Sequence, residues 1–325
     1  MTLSLSLEEL EQAAKLVYRY MAPTPQYAWP LLAQRAGCEV WVKHENHTPT
    51  GAFKVRGGLN YMQRLKAEQP CISGVITATR GNHGQSIGFA AGVTGMSATI
   101  LTPVGNNPET SRSTRALGVE LIEHGEDFQE AAEYAQTLSV TKGLHMIPSF
   151  HPWLVAGVAS YGLEFFRAQP DLDAVFVAIG MGSGICSLIQ ARNALGLKTR
   201  IYGVSAKNAA AYALSFKEGR VVTTDTANTL ADGVATRVPN EMALESILDG
   251  AADVITVSED EILAAMAHYF ADTRNIAEGA GAVPLAALLQ RRSEFAGKRV
   301  GLVLSGGNVY KALLKRVLEQ GDDNP

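Results

Sequence analysis

Cysteine is scarce in this chain: Cys38, Cys71 and Cys186 are the only three in 325 residues, and no two form a C-x-x-C pair. That spacing excludes a disulfide framework and a thiolate zinc cluster, and it fits a reducing cytoplasm. No apolar run is long enough to span a bilayer, and the N-terminus MTLSLSLEELEQ is acidic where an export signal would be basic. Basic residues gather into no stripe, and the net charge is −4, so the electrostatic footprint of a nucleic-acid binder is missing. Internal repeats, low-complexity tracts and Gly/Ser linkers are absent as well. Any domain boundary is therefore crossed by compact chain, as when one domain is inserted into another.

What is present describes an ordinary α/β protein, with 46% hydrophobic and 18% charged residues. The length suits one large domain or two of ordinary size. Short β-branched runs alternate with amphipathic stretches, the pattern of parallel sheets with helical crossovers. Strands are expected at 38–45, 74–79, 96–103, 119–124, 143–147, 174–179, 200–205, 253–257 and 299–304. Several are apolar without alternation, as strands covered on both faces must be. Ser6 with Glu9 and Ser258 with Glu261 read as capping boxes that start helices. His44, His47, His124, His145, His151 and His268 have no ligand spacing, and Cys186 reads as a small core residue.

Four loops carry the chemistry. In Lys43-His-Glu-Asn-His-Thr-Pro-Thr-Gly-Ala-Phe-Lys-Val-Arg-Gly-Gly58 a strand ends in a Pro/Gly turn, and a helix begins near Ala52 with Lys54 in its first turn. Free N–H groups and the positive dipole end disfavour the ammonium there, which suits a residue that must act as an amine. Thr77-Ala-Thr-Arg-Gly-Asn-His-Gly-Gln85 joins a strand to a helix, and its backbone amides make an anion site fit for a carboxylate. Gly180-Met-Gly-Ser-Gly184 stands between a buried strand and a helix expected from Ile185, where glycines let amides close round a phosphate. A dinucleotide would need an acidic residue at the end of the next strand, but that strand finishes Gly203-Val-Ser-Ala206. Near the end, Val303-Leu-Ser-Gly-Gly-Asn308 closes a buried strand.

The first loop resembles the cofactor-lysine motif of fold-type II pyridoxal-phosphate enzymes, in their serine/threonine dehydratase (ammonia-lyase) branch. Glu45, Pro49, Thr50, Gly51, Phe53, Lys54, Arg56 and Gly57 match it, while Ala52 replaces the usual Ser and Val55 the Asp of the synthase branches. The elements follow in family order from 45 to 308, so the likeness covers nearly the whole chain. It implies a two-domain α/β fold like that of tryptophan synthase β, with parallel-rich sheets flanked by helices. Residues 1–60 and 150–325 would form a large cofactor-binding domain, with 61–149 inserted as a smaller one. It further implies pyridoxal 5'-phosphate on the catalytic Lys54, its phosphate in the loop Gly180, Met181, Gly182, Ser183 and Gly184, and its ring nitrogen facing Ser305. Phe53, Asn82, Gly233 and Glu278 would line the cofactor, and Thr79, Arg80, Gly81, Asn82 and His83 would hold an amino-acid substrate. A cytoplasmic homodimer that engages neither membrane nor nucleic acid is the expected setting. With the chain ending soon after Ser305, no appended regulatory domain is expected.

The implied reaction removes water and then ammonia from a β-hydroxy-α-amino acid such as serine, threonine, 3-hydroxyaspartate or phenylserine. A racemase of the same fold and a non-catalytic phosphate-binding protein are the alternatives. Arg80 stands where serine racemases carry a serine, and either contacts the substrate's distal group or forms a structural ion pair. Met181 and Ser183 interrupt the family's tetraglycine, Gly279 replaces a common Pro, and Val158 and Tyr161 depart from its A-G-Q-G-T-I segment. Ser205 and Ala211 fall where metal-dependent relatives have acidic ligands, so no metal is expected.

Overall fold

The computed structural model describes residues 3–319. Six strands make one sheet in the order β1-β2-β10-β7-β8-β9. These are β1 Gln26–Ala28, β2 Glu39–His44, β7 Ala174–Ala178, β8 Arg200–Ala206, β9 Asp253–Val257 and β10 Arg299–Leu304. The other four, β3 Gly74–Ala78, β4 Ser97–Thr102, β5 Glu120–Glu123 and β6 His145–Met146, form a second sheet in the order β5-β4-β3-β6. Every pairing is parallel except that of β1 with β2. All nine expected strands are present, 143–147 shortened to two residues, and β1 is the one that sequence pattern did not announce. Gln26-Tyr27-Ala28 is short, largely exposed and without an apolar run, and it is ordered by backbone pairing to Trp41, Val42 and Lys43.

Unbroken apolar runs make the larger sheet a two-sided core. Phe176, Tyr202, Val204, Leu302 and Leu304 pack on one face, and Val175, Val177, Ile201 and Val303 on the other, as the two-residue period of a strand requires. Phe176, Tyr202 and Phe295 stack or meet edge-on with centroids 4.9–5.4 Å apart. Both capping boxes form as expected: Ser6 Oγ accepts from Glu9 N–H, and Ser258 Oγ from Glu261 N–H, with each glutamate bonding back.

Two boundaries shift from expectation. The helix expected near Ala52 starts at Lys54, because Ala52 and Phe53 are held outside it by bonds to Thr48 and Ser305. The helix expected from Ile185 starts at Ser183. Helix Lys54–Glu68 packs on helix Asn82–Thr94 and on helix Pro152–Ala168, so the element that carries Lys54 joins the two sheets.

Candidate active site

The neighbouring parallel strands β2 and β10 end at the same edge of their sheet, where an open α/β sheet offers its crevice. After β2 the chain turns sharply: Ala52 N–H donates to Thr48 Oγ1 at 2.9 Å, and Gly51 takes the left-handed φ of 71°. A side chain at Gly51 would also strike Asn308 Oδ1, 2.5 Å from its Cβ, so glycine is required twice over. The turn is zipped to the loop after β10. Phe53 N–H donates to the Ser305 carbonyl at 3.0 Å, and Gly307 N–H to that of Gly51 at 2.9 Å. Asn308 Nδ2 reaches the Thr50 carbonyl and Asn82 Oδ1, both at 2.8 Å. Lys54 is thereby fixed as the first residue of its helix, its Nζ 5.7 Å from the centre of the Phe53 ring.

A buried charge cluster braces this helix from behind. Arg56 binds Glu45 through Nε and Nη2 at 2.7 and 3.0 Å, and Glu164 through Nη1 and Nη2 at 2.6 and 3.1 Å. Lys43 reaches the same Glu164, and Thr24 bridges to Glu45. Two cations thus face two carboxylates. Desolvation opposes the Glu164 carboxylate, yet Arg56 and Lys43 outweigh it and hold its pKa below the usual range. Sequence pattern had no access to Lys43 and Glu164, which lie on a strand and a helix that meet only in the fold.

A narrow cleft opens in front of Lys54. It is lined by Phe53, Lys54, Asn82, Gly180, Met181, Gly182, Ser183, Gly184, Gly233, Glu278 and Ser305, the whole cofactor set expected from sequence, together with Ala178 and Ala280. Gly182 turns the chain with a φ of 100° and aims the first amides of helix Ser183–Ala194 at the cleft. Gly180 has no room for a side chain, since a Cβ would lie 2.2 Å from the Gly233 carbonyl. Glu278 accepts from Asn82 Nδ2 at 2.8 Å, and Gly306 leaves it space. Burial pushes the Lys54 pKa down, opposed by the charge of Glu278, and pushes that of Glu278 up, opposed by hydrogen bonds from Asn82 and the Asn308 backbone and by the charge of Lys54.

The expected substrate residues divide. Thr79 is buried and its hydroxyl accepts from Gly81 N–H at 3.0 Å, shaping the loop without facing either cavity. Asn82 lines the cleft, whereas His83 faces a second, smaller space with Lys54, Gly57, Ser149, Leu154, Val158 and Ser183. Arg80 is exposed and, among the described residues, makes no ion pair within 4 Å and no hydrogen bond. Its charge opposes the desolvation that raises the pKa of Asp232, the neighbour in sequence of the cleft residue Gly233.

These parts fit pyridoxal phosphate: an amine for its aldehyde, a glycine-cleared helix terminus for its phosphate and a hydroxyl, Ser305, for its ring nitrogen, all on one cleft. The model of the family described as "Pyridoxal-phosphate dependent enzyme" matches residues 17–306. The chain belongs to that family. It is therefore a pyridoxal-phosphate enzyme, of the fold-type II architecture. It is similar to the L-threonine ammonia-lyase of Thermotoga maritima, 31% identical over 98% of this chain and 79% of that one. It is equally similar to the L-threo-3-hydroxyaspartate ammonia-lyase of a Pseudomonas species, 31% identical over 95% of this chain and 98% of the other. Among solved structures, maize serine racemase superposes with a TM-score of 0.91 at 25% identity, over 97% of both chains. Within this family the cleft residues Ala178 and Ala280 escaped sequence reading because alanine carries no chemical signature.

Proposed function

We propose that this enzyme dehydrates and deaminates a β-hydroxy-α-amino acid to a 2-oxo acid and ammonia, with Lys54 as base. The observation that carries the reading is the buried Lys54 amine on the wall of a cleft that ends at the glycine-cleared terminus of helix Ser183–Ala194, with desolvation lowering its pKa. Bound pyridoxal phosphate supplies an electron sink for the pair left at Cα. The amides at Asn82 and His83, in a loop that Gly81 and Thr79 shape, hold the substrate carboxylate, which orients the Cα–H bond toward Lys54. Lys54 then takes the α-proton. With the cofactor bound, Ser305 would hydrogen-bond the ring nitrogen without holding it protonated, a moderate setting that suits loss of a β-hydroxyl. Residues 1–60 and 150–325 act as the cofactor-binding body and 61–149 as the smaller one, with Asn82 brought to the cleft from the latter.

The likeness to two ammonia-lyases supports this over racemisation. Arg80 also supports it, since it stands where racemases carry the serine that reprotonates the opposite face. Among β-hydroxy substrates, an exposed guanidinium in the carboxylate loop favours a β-substituent bearing a carboxylate or an aryl ring over the methyl of threonine. The test is a panel of serine, threonine, 3-hydroxyaspartate and phenylserine, assayed for ammonia and 2-oxo acid with Lys54→Ala as control. Ammonia from at least one substrate, abolished in Lys54→Ala, is expected. Conversion of L-serine to D-serine without ammonia would sink the proposal in favour of a racemase.

A further inference from the structure

Lys54 and Ser183 line both cavities, so the amine forms part of the wall between the cleft and the space behind it. That second space has room for about one water molecule. His83 reaches into it with only 8% exposure, and its Nε2 has no hydrogen-bond partner. A buried nitrogen in that state is unfavourable unless a guest satisfies it. Desolvation, reinforced by the charge of Lys54, pushes the His83 pKa down to about 3, so the ring stays neutral and suits a neutral guest. Ser149 adds a hydroxyl with no partner among the described residues, while Leu154 and Val158 line the space with apolar side chains. A small polar chamber beside the catalytic amine is thus built for one water-sized, hydrogen-bonding species.

We propose that this chamber receives the water eliminated from the substrate, with His83 as a further catalytic residue that binds the departing oxygen. The proposal rests on the dehydratase reading and names where its leaving group goes. Lys54 takes the proton as the Cα–H bond breaks and becomes an ammonium. The electron pair released there forms the Cα–Cβ double bond as the Cβ–O bond breaks, with that bond's pair leaving on oxygen. The oxygen takes the proton from Lys54 and departs as water, which restores the amine. Protons and charge balance without any other reactant. His83 Nε2 and Ser149 hold the oxygen on the Lys54 side, so α-proton and hydroxyl are lost from one face.

The test compares His83→Leu and His83→Gln with the unaltered holoenzyme on two substrates. One is the best β-hydroxy amino acid of the panel, and the other is β-chloro-L-alanine, whose chloride leaves without a proton. Leucine keeps the backbone amide of the carboxylate loop, so binding and leaving-group effects separate. His83→Leu should lower kcat about 10- to 100-fold more for the hydroxy substrate than for the chloride, with glutamine recovering part of the loss. Equal losses on both substrates would overturn the role of His83. Crystal structures of the loaded proteins give a second readout. Water between His83 Nε2 and Ser149 is expected in the unaltered protein and its loss in His83→Leu, whereas a dry chamber in an active enzyme overturns this proposal alone. Release of ammonia from neither substrate would instead fell the dehydratase reading beneath it.

Discussion

At the scale of single residues, Arg80 is the side chain whose fate the structure changes most. It stands in the loop that opens helix Asn82–Thr94, exposed and without a partner among the described residues, and the carboxylate in its field is Asp232. A substrate carboxylate or ring has an open guanidinium to meet. Arg80→Ala should lower kcat/KM for 3-hydroxyaspartate or phenylserine by roughly tenfold and leave threonine little altered, because an exposed charge contributes modestly. Steady-state kinetics on the same panel decide it, and an unchanged ranking would make Arg80 a solvated surface residue. The lysine and glycine loops that line the cleft were legible before any fold was known because each announces itself locally: glycines beside a lysine, or glycines between a buried strand and a helix. The same reading missed Ser149, Leu154 and the guest chamber they share with His83, since nothing in a serine or a leucine alone says what the fold sets opposite it.

At the scale of elements, the decisive contact lies between helix Lys54–Glu68 and helix Pro152–Ala168, where Arg56 meets Glu164 and also binds Glu45 from the turn after β2, all three side chains being buried. Such a network is costly to break on one side only, so Glu164→Gln should destabilise the protein by about 3 kcal/mol near neutral pH. The acid limb gives the sharper test. The folded Glu164 pKa is lowered from its ordinary value of 4.5, so its stabilisation is full above that value. It is lost as pH falls through the lowered folded value, because the unfolded chain binds the proton first. Thermal melts from about pH 6 down to about pH 3 should therefore fall more steeply for the unaltered protein than for Glu164→Gln. Parallel slopes would show that the carboxylate is not held ionised by Arg56 and Lys43. Apolar runs made nine strands readable, and two capping boxes fixed two helix starts. Strand β1 and the Lys43–Glu164 pair stayed hidden because both depend on which elements become neighbours.

At the scale of the whole molecule, the cleft draws its walls from two sheets. Lys54, the 180–184 loop, Glu278 and Ser305 lie on elements that flank the six-stranded sheet, while Asn82 begins the helix that follows β3 of the four-stranded one. A cofactor bound across that seam favours the folded, closed arrangement over every state in which the sheets part. Binding to the native state alone adds about 2.7 kcal/mol at a hundredfold excess over Kd, which raises Tm by roughly 5 °C in a chain of this size. Scanning calorimetry of cofactor-free protein, with and without pyridoxal phosphate, should show that rise. Inorganic phosphate should reproduce only a fraction of it, because it engages the helix terminus at Ser183 without reaching Lys54 or Asn82. Asn82→Ala should shrink the cofactor's effect while leaving that of phosphate intact, since Asn82 is the cleft residue supplied across the seam. If phosphate stabilises as well as the cofactor does, the 180–184 loop alone accounts for binding and the seam contributes nothing.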